Sequence, residues 1–259
     1  AFKIEADGRK VFHTGDFRTH GFRSKMLPAV IEKYIVKVDC VVSEGTNIER
    51  SKDTTTKTEQ DIKKEFIEGF KQNKYNVVYV SSTNIDRLFA LYHAACSAGR
   101  MFILDEFAKK MMDAAANVDK LWGKSRFYHF LGGQKAPKVL WKDGVINDTF
   151  FHAMERHGYV LIARANDKFD ELLQKMPSEG RKVYLSMWKG YVDNPESPSY
   201  NKSLAEAMGN DYVHIHTSGH CDVESMAKLF EMLKPKLIIP IHTNCPEKFA
   251  AAFPSWNVK

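Results

Sequence analysis

Residues 76–104 read N-V-V-Y-V-S-S-T-N-I-D-R-L-F-A-L-Y-H-A-A-C-S-A-G-R-M-F-I-L. The run Asn76–Val80 is strand-like, Asn84–Ser97 carries a helical pattern, Gly99-Arg100 breaks it, and Met101–Leu104 is a second strand signal. Two apolar strands joined through a helix form a βαβ unit, which requires a parallel sheet covered by helices.

The same alternation continues outward. An amphipathic helix pattern over 59–71 precedes the quoted stretch, and Tyr159–Ala163, Lys168–Met176 and Lys182–Leu185 repeat strand, helix and strand after it. The charged, Thr-rich segment 50–58 precedes the first helix pattern, and the Pro-containing segment 193–203 reads as a return linker. The expected organisation is therefore an inserted α/β domain over 51–205, flanked by the two parts of another domain, 1–50 and 206–259.

In the flanks, short apolar runs stop abruptly at polar groups. Lys10–His13 ends at Thr14-Gly15-Asp16, Val38–Val42 at Ser43-Glu44-Gly45-Thr46, and Leu237–Ile241 at His242-Thr243. Tyr212–Ile215 runs into His216-Thr217-Ser218-Gly219-His220, and the helix pattern Val223–Leu233 follows. Polar groups at strand ends along one sheet edge are how layered α/β enzymes build a site. Residues 1–12 read as a strand, an Asp7-Gly8 turn and a second strand, as though the chain starts inside a sheet.

The 259 residues are 44% apolar, enough for a sizeable core in one large or two medium domains. The net charge of +6 comes from scattered lysines and arginines and mildly favours a polyanionic partner. Cys40, Cys96, Cys221 and Cys245 lack CxxC spacing, which argues against a thiolate metal site or a disulfide framework and makes a reducing cytoplasm the default. No apolar run is long enough to span a bilayer, so no membrane partner is expected.

The densest chemical group is His214 to His220. In a strand His214 and His216 face the same way, while Ser218-Gly219 forms a turn whose backbone N–H groups precede a helix; His216 and Ser218 suit a phosphate there. Asp16, in a turn after a strand, is a carboxylate able to bind divalent metal, although an Asp that only closes such a turn is more common. Glu44 can orient a histidine and raise its basicity. His242 is a strand-end histidine.

Together, Thr14-Gly15-Asp16-Phe17-Arg18, Ser43-Glu44-Gly45-Thr46, His216-Thr217-Ser218-Gly219-His220 and Pro240-Ile241-His242-Thr243 resemble, in order and spacing, the later motifs of β-CASP metallo-β-lactamase proteins, ribonuclease J among them. Ser81 to Arg87 and Gly99-Arg100 resemble Ser-Asn-x-x-Arg and Gly-Arg signatures of the same family. The resemblance spans essentially the whole chain. It implies the carboxy-terminal part of an αββα metallo-β-lactamase sandwich with an inserted β-CASP domain, and a metal-dependent phosphodiester hydrolase, foremost a ribonuclease. It further implies Asp16 and His242 as metal ligands, His220 as proton donor to the leaving oxygen with Glu44 behind it, and His216 and Ser218 as phosphate-binding residues. Two zinc ions, or manganese in their place, and a metal-bridging hydroxide belong to that implied mechanism, with RNA or another phosphodiester as substrate and self-association left open.

The family's His-x-His-x-Asp-His motif is absent from these residues. His13 and His20 flank Asp16 without matching a ligand position. Two ligands cannot fill two zinc shells, so weak metal binding is expected from this chain alone, along with apolar sheet surface left exposed. Two further readings stand beside the ribonuclease: a hydrolase of the same fold acting on a small ester or phosphorylated metabolite, and a catalytically silent nucleic-acid-binding subunit.

Overall fold

The computed structural model of the chain describes residues 1–49, 56–120, 138–140 and 147–259. Among the described residues the strands are, in chain order, β1 Phe2–Ala6, β2 Arg9–His13, β3 Cys40–Glu44, β4 Tyr75–Tyr79, β5 Met101–Leu104, β6 Lys138–Leu140, β7 Tyr159–Ala163, β8 Lys182–Leu185, β9 Val213–His214 and β10 Leu237–Ile241. They form a mixed α/β fold in two compact units, residues 1–58 with 217–259, and residues 59–216.

The first unit carries a four-stranded sheet in the order β1-β2-β3-β10. Asp7 and Gly8 both take positive φ, 48° and 72°, which lets the two-residue turn match the strand twist and pair β1 with β2 antiparallel. β2, β3 and β10 are parallel, and their register aligns Ile241 with Glu44 and His13 with Val42. Three chain segments thus leave the sheet at one edge, which is what brings Asp16, Glu44 and His242 together. The helix Val223–Leu233 packs Met226, Leu229, Phe230 and Leu233 with Phe12, Val41, Ile238 and Phe249. Asp222 caps it, accepting from Ser225 N at 2.8 Å. Every residue of β1 is exposed, Phe2 at 69% and Ile4 at 53%, so apolar sheet surface does face outward.

The second unit is a six-stranded sheet in the order β6-β5-β7-β4-β8-β9, parallel at every pairing. Alternate residues feed two cores, as strands covered on both faces require. Val78, Val80, Phe102, Val160 and Ile162 meet helices Glu59–Gln72 and Ile85–Ser97 on one side. Val77, Tyr79, Ile103, Leu161 and Leu185 meet helices Asp148–His157, Asp167–Gln174 and Lys202–Met208 on the other. Inside lies a fully buried ion pair: Arg87 reaches Glu59 by two bonds of 2.9 and 3.0 Å, and its remaining nitrogen donates to Ser186 Oγ and to the carbonyl of Ile215.

Two expectations about the boundaries are corrected. The segment 193–203 is not a return linker: it runs between the short helix Gly190–Asp193 and the helix Lys202–Met208, both inside the second unit. Residues 206–216, read as part of the returning domain, also belong to this unit, because β9 pairs in parallel with β8. The Thr-rich segment 50–58 lies partly outside the described residues.

Candidate metal centre

Glu44 is the buried anchor, its side chain only 1% exposed at the end of β3. Its Oε1 accepts from Phe17 N (3.1 Å) and Cys221 N (3.3 Å), and its Oε2 is 2.9 Å from His220 Nδ1. Burial raises the carboxyl pKa, but the bonds from His220 and Phe17 outweigh it and hold Glu44 below the usual glutamate range. A carboxylate only accepts, so His220 Nδ1 carries the proton.

His242 follows β10 directly and adopts φ 49°, a left-handed conformation worth roughly 1–2 kcal/mol of strain for a non-glycine residue. Its Nδ1 lies 3.0 Å from Asp16 Oδ1. The rings of His220 and His242 meet edge to face with centroids 5.1 Å apart. One donor atom from each of Asp16, His220 and His242 lies within 4.8 Å of the others. Two imidazoles and one carboxylate form a donor set suited to zinc, and manganese, which prefers oxygen, fits it less well. Three donors can hold one ion with positions left open; the described residues present no donor set for the second ion of the expected pair.

Two residues not singled out from the sequence complete this arrangement. Thr46 Oγ1 stands 3.2 Å from His220 Nδ1 and donates to the carbonyl of His242, also at 3.2 Å. Buried Asn47 spreads one amide nitrogen over Ser218 Oγ (3.2 Å) and the carbonyls of His220 (3.1 Å) and Cys221 (3.0 Å). Ser218 Oγ also accepts from His220 N, so its lone pairs are used and its proton stays available as a donor. The only sequence signal was position, directly after Ser-Glu-Gly at a strand end. His20 Nε2 lies 2.6 Å from the Ser218 carbonyl, and His13 Nδ1 accepts from Gly15 N; both hold loops in place.

Asp16, Glu44, Ser218, His220 and His242 thus share the first unit, while His216 belongs to the second. Its ring stacks on His214 with centroids 5.8 Å apart, although β9 itself ends at His214. Burial, then the positive charges of Arg87 and His214, lower its pKa to about 4, so it is neutral near pH 7. A neutral imidazole meets a phosphate through hydrogen bonding without full charge.

Residues 211–253 match the family model described as "Zn-dependent metallo-hydrolase RNA specificity domain", a stretch that contains Ser218, His220 and His242. No curated protein matches the chain. Among solved structures the fold is shared with a protein of unknown function from Enterococcus faecalis V583, at 18% identity and a TM-score of 0.65. That similarity covers 99% of this chain, which spans 57% of the length of the other.

Proposed function

We propose that the chain is part of a zinc-dependent phosphodiester hydrolase acting on RNA, with its reaction site at Asp16, Glu44, His220 and His242. The observation that carries this reading is the convergence of three strand ends and one helix-leading turn on these four residues, with Glu44 bonded to His220 and Asp16 to His242. The zinc-type donor set and the match of residues 211–253 support it.

In this reading Asp16 and His242 hold zinc, which supplies Lewis-acid stabilisation of charge on the phosphate. Glu44 fixes the His220 tautomer and orients the ring, and His220 is the proton donor to the leaving oxygen. Ser218, with its free hydroxyl proton, and His216 are proposed phosphate contacts. The inserted unit corresponds to a β-CASP domain and the whole to a ribonuclease-J-like enzyme of the cytoplasm.

A specific observation favours a second role for His220. Its donor atom lies within 4.8 Å of those of Asp16 and His242, and a carboxylate behind a histidine is also how ligating histidines are oriented. With Nδ1 committed to Glu44, Nε2 can ligate or donate, not both. His220→Ala separates the roles: as proton donor it leaves zinc affinity intact while hydrolysis falls, and as ligand it weakens both.

The test of the function itself is hydrolysis of labelled single-stranded RNA with added zinc. Slow cleavage is expected, abolished by chelator and by Asp16→Ala. Absence of cleavage at every zinc concentration, or cleavage that survives Asp16→Ala, would sink the proposal.

A further inference from the structure

The carboxyl ends of the parallel strands in the second unit share one edge, and the loop after β8 places an exposed aromatic pair there. Trp188 is 50% exposed and Tyr191 is 38% exposed, with ring centroids 5.5 Å apart at 82°. The indole packs against its own loop. A β-carbon on Gly190 would lie 2.4 Å from the six-membered ring of the indole, so the ring in this position packs over the glycine backbone. The loop is fixed as well: Tyr191 N donates to the Trp188 carbonyl (3.2 Å) and Asn201 N to that of Tyr191 (2.8 Å).

The neighbours of this pair come from the segment matched as an RNA specificity domain. β9 pairs with β8, His214 Nε2 donates to the Met187 carbonyl at 3.0 Å, and Tyr212 Oη donates to Asp193 at 3.4 Å. Lys189, between the two aromatics, reaches Asp193 in a solvent-exposed ion pair of 3.3 Å that exchanges readily for a phosphate. Further along the same edge, Arg164 lies over the half-exposed ring of Phe107. An exposed indole packed edge to face on Tyr191, with Lys189 next in sequence, in a chain of net charge +6, has the chemistry of a nucleobase platform: the ring stacks on a base and the cation meets the backbone.

We propose that Trp188, seated on Gly190 and braced by Tyr191, is a stacking platform for one base of single-stranded RNA, with Lys189 contacting an adjacent phosphate. The inference rests on the RNA-directed reading above and deepens it by naming a base contact on the second unit. It requires unpaired bases, since a duplex buries the faces that would stack.

The test is fluorescence anisotropy of a labelled oligouridylate with the whole chain, in chelator so that binding is read without cleavage. Trp188→Ala should weaken binding about 5- to 150-fold and Trp188→Phe by less. The salt slope should stay unchanged in Trp188→Ala and become shallower by roughly 0.7 in Lys189→Ala, which a general loss of folding would not produce. Quenching of the Trp188 fluorescence component on RNA addition is expected too. The platform is overturned if Trp188→Ala binds as the parent does, if duplex RNA binds as tightly as the single strand, or if the parent binds no single strand. Trp188-dependent binding in a chain that never hydrolyses RNA would uphold the platform and remove the hydrolase reading alone; hydrolysis with binding indifferent to Trp188 would do the reverse.

Discussion

Gly45 shows how narrowly the residues around Glu44 are specified. A β-carbon there would lie 2.1 Å from the ring of Phe249, itself fully buried, so the ring closes over the glycine immediately after the buried carboxylate. Gly45→Ala should destabilise the chain by about 1–3 kcal/mol, the usual range for overpacking, as read by urea denaturation. His216 gives a pH prediction. Its folded pKa, about 4, is depressed below the ordinary histidine value, so between pH 6.5 and 4 the unfolded chain binds more protons. Its contribution to stability is present above that window and is lost as pH falls through it. His216→Asn should flatten the pH dependence of unfolding in this window, and NMR titration of the ring should show it neutral until about pH 4. An unfolding free energy equally pH-dependent in the variant would refute the assignment.

At the scale of elements, the Arg87–Glu59 pair joins the helices Glu59–Gln72 and Ile85–Ser97 to the ends of β8 and β9 through Ser186 and Ile215. Removing one partner leaves the other charged and buried, so Arg87→Met should cost about 3–5 kcal/mol; Arg87→Met with Glu59→Leu should recover most of that. Chemical denaturation of the single and double variants checks the order, and a double variant less stable than the single would contradict it. The helices and the longer strands were legible in the sequence because periodicity reports burial: the pattern over 59–71 and the run Asn76–Val80 say which faces must be covered. β9 was misassigned because two residues carry no period, and its place comes from pairing with β8. The segment 193–203 was misread because proline, asparagine and serine mark a turn equally well inside a domain or between domains.

For the molecule as a whole, the strand-end rule brought Asp16, Glu44, Ser218, His220 and His242 into view from sequence, since a polar group that stops an apolar run must leave the sheet at its edge. Thr46 and Asn47 were not visible that way: their partners, His220, His242, Ser218 and Cys221, are distant in sequence and meet them only once β3 and β10 are in register. Among the described residues no helix is long and apolar enough to cross a membrane. The central claim is that Asp16 and His242 hold zinc, and calorimetric titration of zinc into the metal-free chain tests it most directly, alongside Asp16→Ala and His242→Ala. One saturable zinc site, weakened in both variants, is the result expected. No zinc uptake, or uptake undiminished in both variants, would contradict the account.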